Sequence, residues 1–402
     1  MTAELITGIA ELTTQAAESS QDSHDDNRLA DAALVIENGR IAWIGPAADA
    51  PAADSEVNVH GRAVLPGWVD THTHLVFAGD RAAEFEARMA GQRYAAGGIA
   101  TTVAATRAAS EADLVANARR LRREAAASGT TFLETKTGYG LDLASELRGA
   151  RAAAEVADVV TFLGAHLVPP GIDRRDYLDL VTGPMLQAVA PHVDFIDAFC
   201  ETGAFDVDEC REVLLAGRAA GLGLRLHGNQ LGAGGGVRLA VELGCASVDH
   251  CNHLDDADID ALAGSDTVAT LLPACDLSTR QPFPPARRLL DAGAHIALAS
   301  NCNPGTSYTT SMPFCVATAV LQMGLTVREA VWAATRGAAR AVGREHGPDA
   351  VGSLRIGGRA DLQVLDAPSV AHLAYRPGVP LCVATWIEGV RAHPRVSRDL
   401  ST

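Results

Sequence analysis

The feature that most constrains this chain is an alternation repeated eight times. Short, largely apolar runs at 64–70, 131–136, 160–166, 193–199, 223–229, 246–251, 267–274 and 296–302 are separated by stretches with helical periodicity. A short apolar run bounded by turn residues reads as a buried strand, whereas apolar positions recurring at i, i+3 and i+4 read as a helix. Helical stretches include 110–128, 207–221 and 284–293, and Ser110 and Asp113 stand at capping-box spacing at the start of the first. Eight βα units in series predict an α/β fold, a (β/α)8 TIM-like barrel. The alternative, a doubly wound sheet, wants a glycine-rich phosphate turn after its first strand, and none is present. In the last run Ile296 and Leu298 share one face while Ala297, Ala299 and Asn301 share the other. That division suits a strand with helices outside and a crowded barrel interior. Segments 311–323 and 326–343 are expected to be two helices that close the barrel.

Both ends of the chain have a different character. Segment 33–45 contains the turn sequence ENGRI between alternating residues, a hairpin signal. Segments 351–366 and 382–392 again read as short strands, and 16–27 is polar and reads as a surface loop. The expected organisation is a barrel over 64–350 and one small β-sandwich domain assembled from 1–63 and 351–402.

Composition excludes several classes of function. The net charge of −16 argues against nucleic-acid and anionic-membrane partners. No apolar run reaches the length of a membrane span, and the N-terminus lacks a basic-then-apolar signal pattern, so a cytoplasmic protein is expected. The eight cysteines form no CxxC pair and read as reduced, packed thiols; Cys302 draws notice only because it adjoins Asn301. The chain holds a single lysine, Lys136, among many arginines. Either it survives by chance or it fills a point-charge role that a planar guanidinium cannot.

Barrel active sites gather at the C-terminal ends of the strands, and polar residues fall there repeatedly. The first strand ends in 70-DTHTH-74, so His72 and His74 are two apart and can share one metal ion. Lys136 and Tyr139 follow the second strand, His166 ends the third, and Glu201 follows the fourth. His227 and Gln230 end the fifth, His250 the sixth and Asn301 the eighth. An isolated HxH is weak evidence for a metal; the later histidines strengthen it. Arg81, in the loop after the histidine pair, is either a solvated arginine or a bidentate clamp for a substrate carboxylate. The pair Gly97-Gly98 reads as a loop hinge. His192, His346 and His393 read as solvated, His60 as structural, and His253 as lying past its strand end.

Long motifs carry a resemblance. The runs 66-PGWVDTHTHLVFAGDR-81, 137-TGYGLD-142, 164-GAHLVPP-170, 200-CETGAF-205, 247-SVDH-250, 272-LPACDLSTRQPFPPAR-287 and 303-NPGTS-307 resemble the imidazolonepropionases, amidohydrolases of histidine degradation. The resemblance runs through nearly the whole chain, in order. It implies hydrolysis of the imidazolone ring of 4-imidazolone-5-propanoate to N-formimidoyl-L-glutamate by a metal-bound hydroxide. It implies one divalent metal, zinc or iron, held by His72, His74 and His227, with Asn301 at the position of a fourth ligand. His250 would be the acid/base. Arg81, Tyr139, His166, Gln230, Asn303, Gly305 and Thr306 would bind the substrate. A homodimer is also implied.

Two positions depart from the family pattern. Asn229 stands where an acid is common after the fifth strand, and Asn301 stands where the eighth strand usually ends in Asp. The second change removes a carboxylate from both metal and water. Three neutral histidines on zinc suffice elsewhere to bring bound water to a pKa of about 7, so the expectation is a retuned site that still works. Two other functions stay open at this point: a related amidohydrolase on another small cyclic amide or amidine, and a metal-poor binding protein without turnover. A two-metal centre bridged by a carbamylated lysine is disfavoured, because 196-IDAFCETG-203 contains no lysine.

Overall fold

The computed structural model describes residues 3–16, 28–91 and 98–394. The expected polar loop at 16–27 and residue 97 of the glycine pair fall almost wholly outside the described residues. Two sheets organise the chain. The eight-stranded sheet contains β5 (Trp68–Asp70), β6 (Thr130–Lys136), β7 (Val159–Ala165), β8 (Phe195–Cys200), β9 (Gly223–Gly228), β10 (Ser247–His250), β11 (Val268–Leu271) and β12 (Ile296–Leu298), in sequential order. Each expected run contributes a strand, although residues 64–66 of the first pair in the other sheet and only Trp68–Asp70 joins this one, and β6 to β12 pair in parallel with their neighbours. Every residue of β6 and β7 is buried, as it must be in strands covered on both faces. The circle is completed beyond the regular strands, where Thr73 bridges Cys302 in parallel register.

The second sheet has seven strands in the order β15-β14-β13-β4-β1-β2-β3. Its N-terminal members are β1 (Ala3–Thr13), β2 (Arg28–Glu37), β3 (Arg40–Pro46) and β4 (Ser55–Pro66); its C-terminal members are β13 (Leu362–Leu365), β14 (Cys382–Ile387) and β15 (Val390–Pro394). This is the expected sandwich-like domain from both termini, built as one continuous sheet in which β13 pairs antiparallel with β4. Ile6, Leu34, Val64, Leu362 and Trp386 share one buried cluster on it. The β2–β3 hairpin turns through Asn38 (φ 54°) and Gly39 (φ 76°), the paired positive angles of a type I′ turn.

Among the described residues the chain divides into two compact units, one within 1–70, 123–132 and 311–402, the other within 71–122 and 133–310. In the second, Val76, Leu114, Val115, Ala152 and Val160 form a core patch between helices and strands. The capping box opens the Glu111–Ala127 helix as expected: Asp113 N donates to Ser110 Oγ at 3.2 Å. The helix expected over 326–343 is instead two, Val327–Ala333 and Arg336–Ala341. Thr335 departs from helical angles (φ −126°, ψ −91°) and its hydroxyl donates back to Val331 O at 2.6 Å, a side-chain bond that competes with the helical ladder.

Candidate active site

The histidine pair lies on the seam that closes the barrel. Asn301 N donates to His72 O at 2.9 Å, and His74 N donates to Cys302 O at 2.8 Å. On the other side Lys136 N donates to Thr73 O at 2.8 Å. Residues 72–74 thus continue the first strand between its neighbours, and both imidazoles are buried. His227 joins them: its ring centroid is 4.6 Å from that of His72 and 5.7 Å from that of His74.

Hydrogen bonding dictates which nitrogens are free. His72 Nδ1 is 2.6 Å from Asp249 Oδ2, and His227 Nδ1 is 3.1 Å from Asp197 Oδ1. A carboxylate only accepts, so each Nδ1 carries the hydrogen and each Nε2 keeps a lone pair. His72 Nε2 and His74 Nε2 then meet at 3.3 Å. Two ligand nitrogens on a tetrahedral centre with bonds of about 2.05 Å stand about 3.3 Å apart. Donor atoms of His72, His74 and His227 lie within 4.8 Å of one another, all buried. Burial, followed by the charge of Lys136, holds His72 well below its ordinary pKa against the pull of Asp249. Burial and the adjoining His72 do the same to His74. Neutral imidazoles with carboxylate-oriented Nδ1 atoms are the donor set a divalent metal takes.

Beneath the histidines lies a closed ionic cluster. Lys136 Nζ is 3.0 Å from Glu134 Oε1, 3.0 Å from Asp197 Oδ2 and 3.6 Å from Asp249 Oδ2. Arg225 Nη2 reaches Asp249 Oδ2 at 3.2 Å. All five side chains are fully buried. Burial alone would favour neutral carboxyls, but Arg225 and His72 hold Asp249 well below the usual carboxylate range. His227 and Lys136 likewise overcome burial at Asp197. The single lysine therefore has a structural role: with Arg225 and the two histidines it keeps ionised the acids that orient His72 and His227.

Above the histidines opens a cleft. Among the described residues it is lined by His74, Arg81, Tyr139, His166, His227, Gln230, His250, Asn301, Asn303 and Thr306, with Ile99 and Phe199. His250 sits at the end of β10 with φ 85°, followed by Cys251 at φ 56°; positive φ at consecutive non-glycine residues is strained and recurs at functional sites. Burial lowers His250 to about 3 and His166 to about 4. His166 Nδ1 donates to Gly138 O at 2.9 Å, which leaves its Nε2 as an acceptor.

Several singled-out residues have structural partners, whether or not they line the cavity. Gly305 does not line it; a Cβ there would collide with the Arg81 guanidinium. Asn303 builds the loop, accepting from Gly305 N and Thr306 N at 2.8 Å each and donating to Asn301 Oδ1 at 3.2 Å. Asn229 points its amide at His253 O, 2.9 Å away; a carboxylate could not donate there, so this exchange of acid for amide leaves the cavity untouched. Glu201 accepts from Gln230 N and Leu231 N and fixes that loop. Cys302 contributes its carbonyl to His74 and is absent from the lining. Arg81 lies in the cavity with Nε and Nη2 held by Glu84 at 2.8 and 2.7 Å. His60 is exposed in β4, His346 is largely exposed, and neither His192 nor His253 reaches the cavity. His393 pairs in β15, opposite Thr385.

Sequence reasoning missed Asp197, Asp249, Glu134 and Arg225. A signal existed: each is a charged residue inside an apolar, buried strand, where a charge must be paired. Arg225 and Glu134 also precede His227 and Lys136 by two residues, the spacing that puts both on one strand face.

Residues 180–393 match the family model described as Amidohydrolase family. The chain is 67% identical to the imidazolonepropionase of Saccharopolyspora erythraea, across 98% of this chain and 100% of that one. It is 63% identical to the imidazolonepropionase of an Arthrobacter species, across 96% and 99%. Among solved structures it is similar to an adenosine deaminase from Xanthomonas campestris with bound zinc, at a TM-score of 0.67 and 19% identity, covering 96% of this chain and 92% of that one. The deaminase likeness speaks to the fold; the identity to the two bacterial enzymes, over essentially full length, shows that the chain belongs to the imidazolonepropionase family of amidohydrolases.

Proposed function

We propose that this chain hydrolyses the imidazolone ring of 4-imidazolone-5-propanoate to N-formimidoyl-L-glutamate, as a metal-dependent step of histidine breakdown. The observation that carries this is the trio of buried histidines, two of them tied through Nδ1 to ionised carboxylates, at the floor of a cleft lined by polar side chains. His72, His74 and His227 would hold one divalent ion, zinc or iron. Such an ion polarises the ring carbonyl and acidifies water. Asn301 lines the same cavity and offers only a neutral carbonyl oxygen, one already bonded to Asn303; it is the weakest candidate ligand.

His250 moves protons. Its Nδ1 is sealed without a partner, so Nε2 is the nitrogen that serves the cavity. Neutral in the resting state, it takes a proton from the attacking water and returns one to the leaving ring nitrogen. Arg81 captures the propanoate carboxylate, exchanging its Glu84 partner for the substrate's. Tyr139, His166 and Gln230 surround the ring, while Asn303, Gly305 and Thr306 shape the loop beside Arg81. The catalytic barrel is assigned to 64–350 and the accessory β-domain to 1–63 with 351–402. The working form is a cytoplasmic homodimer acting on a small molecule. No helix among the described residues is long and apolar enough to cross a membrane.

The test is the loss of substrate absorbance with purified protein, before and after chelation and after add-back of zinc or iron. Loss that vanishes on chelation and returns with metal supports the reading. No loss with any metal overturns the substrate.

A further inference from the structure

The run 137-TGYGLD-142 joins β6 to the Leu143–Ala154 helix. It turns sharply, with Gly138 at φ 108° and Leu141 at φ 53°. A Cβ at Gly138 would meet Leu163 O at 2.8 Å and His166 Nδ1 at 3.1 Å, so glycine is required there. Three backbone N–H groups of this turn converge on one side chain. Glu146 Oε1 accepts from Gly140 N at 2.7 Å and from Leu141 N at 2.9 Å, and Oε2 accepts from Gly138 N at 3.1 Å. Glu146 is 1% exposed. Burial raises its carboxyl from the ordinary value, and the groups that oppose this are Leu141, Thr137, Gly140 and Gly138, all in the same loop. The loop is thus what offsets the burial of the acid.

The same loop builds two walls of the cleft. Tyr139 stands between the two glycines, and its ring centroid is 5.5 Å from that of His166 and 6.0 Å from that of His74. Gly138 is held from both ends: its N–H donates to Glu146, and its carbonyl accepts from His166 Nδ1 at 2.9 Å. The second bond fixes the His166 tautomer and leaves Nε2 as an acceptor. Tyr139 and His166 line the cleft, whereas Glu146 is absent from the lining.

We propose that Glu146 is a positioning residue for the substrate: its carboxylate sets the Tyr139 ring through the N–H groups on either side of it, and the His166 tautomer through Gly138. The inference rests on the reading that Tyr139 and His166 bind the substrate. A carboxylate near the start of a helix can serve stability alone. Here the bonds it accepts fall on residues that flank Tyr139, and one of those residues holds His166. An imidazolone ring carries N–H donors, and an acceptor locked in one tautomer selects for them, because an analogue without the donor leaves the acceptor unpaired.

The test is Glu146→Gln in zinc-loaded enzyme. Gln keeps one acceptor oxygen but turns an amide donor on the donors of the loop. For 4-imidazolone-5-propanoate kcat/KM should fall by up to about 10²-fold, carried by KM with kcat and metal content little changed, the mark of lost uniform binding. On a Tyr139→Ala/His166→Ala background the same change should cost no more than about twofold, because its route to the substrate is already gone. The full loss on that background overturns the proposal, as does a wild-type KM in the single variant. Nitrogen NMR of the histidine rings needs no substrate. The His166 signal, assigned by its absence in His166→Ala, should report the Nδ1–H tautomer in wild type and a mixture in Glu146→Gln; an unchanged tautomer overturns the proposal. Should Glu146→Gln fail to fold, Glu146→Asp decides: it keeps the charge but withdraws it from the loop by one methylene, so KM should rise, and a wild-type KM overturns the proposal. An inert wild type overturns the substrate and leaves the tautomer to decide on Glu146. A Tyr139→Ala/His166→Ala enzyme with wild-type KM overturns both.

Discussion

Replacing Lys136 by Met tests the ionic cluster under His72 and His227 most directly. Lys136 Nζ is 3.0 Å from one oxygen of Glu134 and 3.0 Å from one of Asp197, in full burial. At an effective dielectric of about 20 each contact is worth about 5 kcal/mol of Coulomb attraction. Desolvation of the ammonium offsets much of that, and breaking a buried pair costs about 3–5 kcal/mol net. Met fills the volume but leaves Glu134, Asp197 and Asp249 facing Arg225 alone. For a chain of this size Tm should fall by roughly 4–6 °C, measured by thermal unfolding of metal-loaded protein. Metal affinity should drop by about 10–100-fold, measured by chelator competition, because Asp197 and Asp249 no longer hold His227 and His72 as firmly. The double variant Glu134→Gln/Lys136→Met removes one negative charge along with the positive one. It should recover part of both losses. A Lys136→Met variant that melts within about 2 °C of wild type, or a double variant worse than the single, would refute the charge balance drawn here.

Three further outcomes follow from single contacts. Glu84→Ala should lower KM for substrate by up to about fivefold, the value of a half-exposed ion pair of about 1 kcal/mol, because Glu84 occupies the Arg81 fork; a raised KM would mean that Glu84 orients the fork and does not compete for it. Asn301→Asp should bind metal at least about tenfold more tightly, since an anionic oxygen replaces a neutral one; a wild type that is inert beside an active variant would show that the amide is a defect and the site is not retuned. Asp276 gives a pH dependence of stability. Its folded pKa, about 8, lies above the ordinary 3.8, so its contribution is complete below about pH 4 and is lost as pH rises through about 8. Metal-loaded wild type should therefore lose stability across that window relative to Asp276→Asn, and parallel melting-versus-pH curves would sink the idea.

The barrel was legible because its signal is repeated. Eight apolar runs with helical spacing between them leave few topologies, and each barrel strand falls within its run or overlaps it, the first only over Trp68–Asp70. The break at Thr335 was not legible, since a hydroxyl bonding back to Val331 O leaves no mark in hydrophobic periodicity. At the site, His72, His74, His227 and His250 were readable as polar residues at strand ends. Asp249 hid in plain view beside His250: strand alternation points neighbours to opposite faces, so it was passed over, although that same rule aims it into the barrel at His72. Asp276 lay inside a recognised motif but on a helix, where sequence alone cannot say that a carboxyl faces back toward a strand end.

Asn301 shows why a carboxylate can be dispensed with at this position without losing the site. Its backbone is in the left-handed region, φ 52°, which Asn and Asp tolerate better than most residues. The main-chain bond from Asn301 N to His72 O, with its counterpart from His74 N to Cys302 O, joins the last strand to the first. Those bonds are indifferent to whether residue 301 carries an acid or an amide. The positions of both histidines are therefore set by the barrel seam and by Asp249, not by a charge at residue 301. What the exchange alters is electrostatics: one negative charge fewer beside the bound ion, hence weaker binding but a more acidic water.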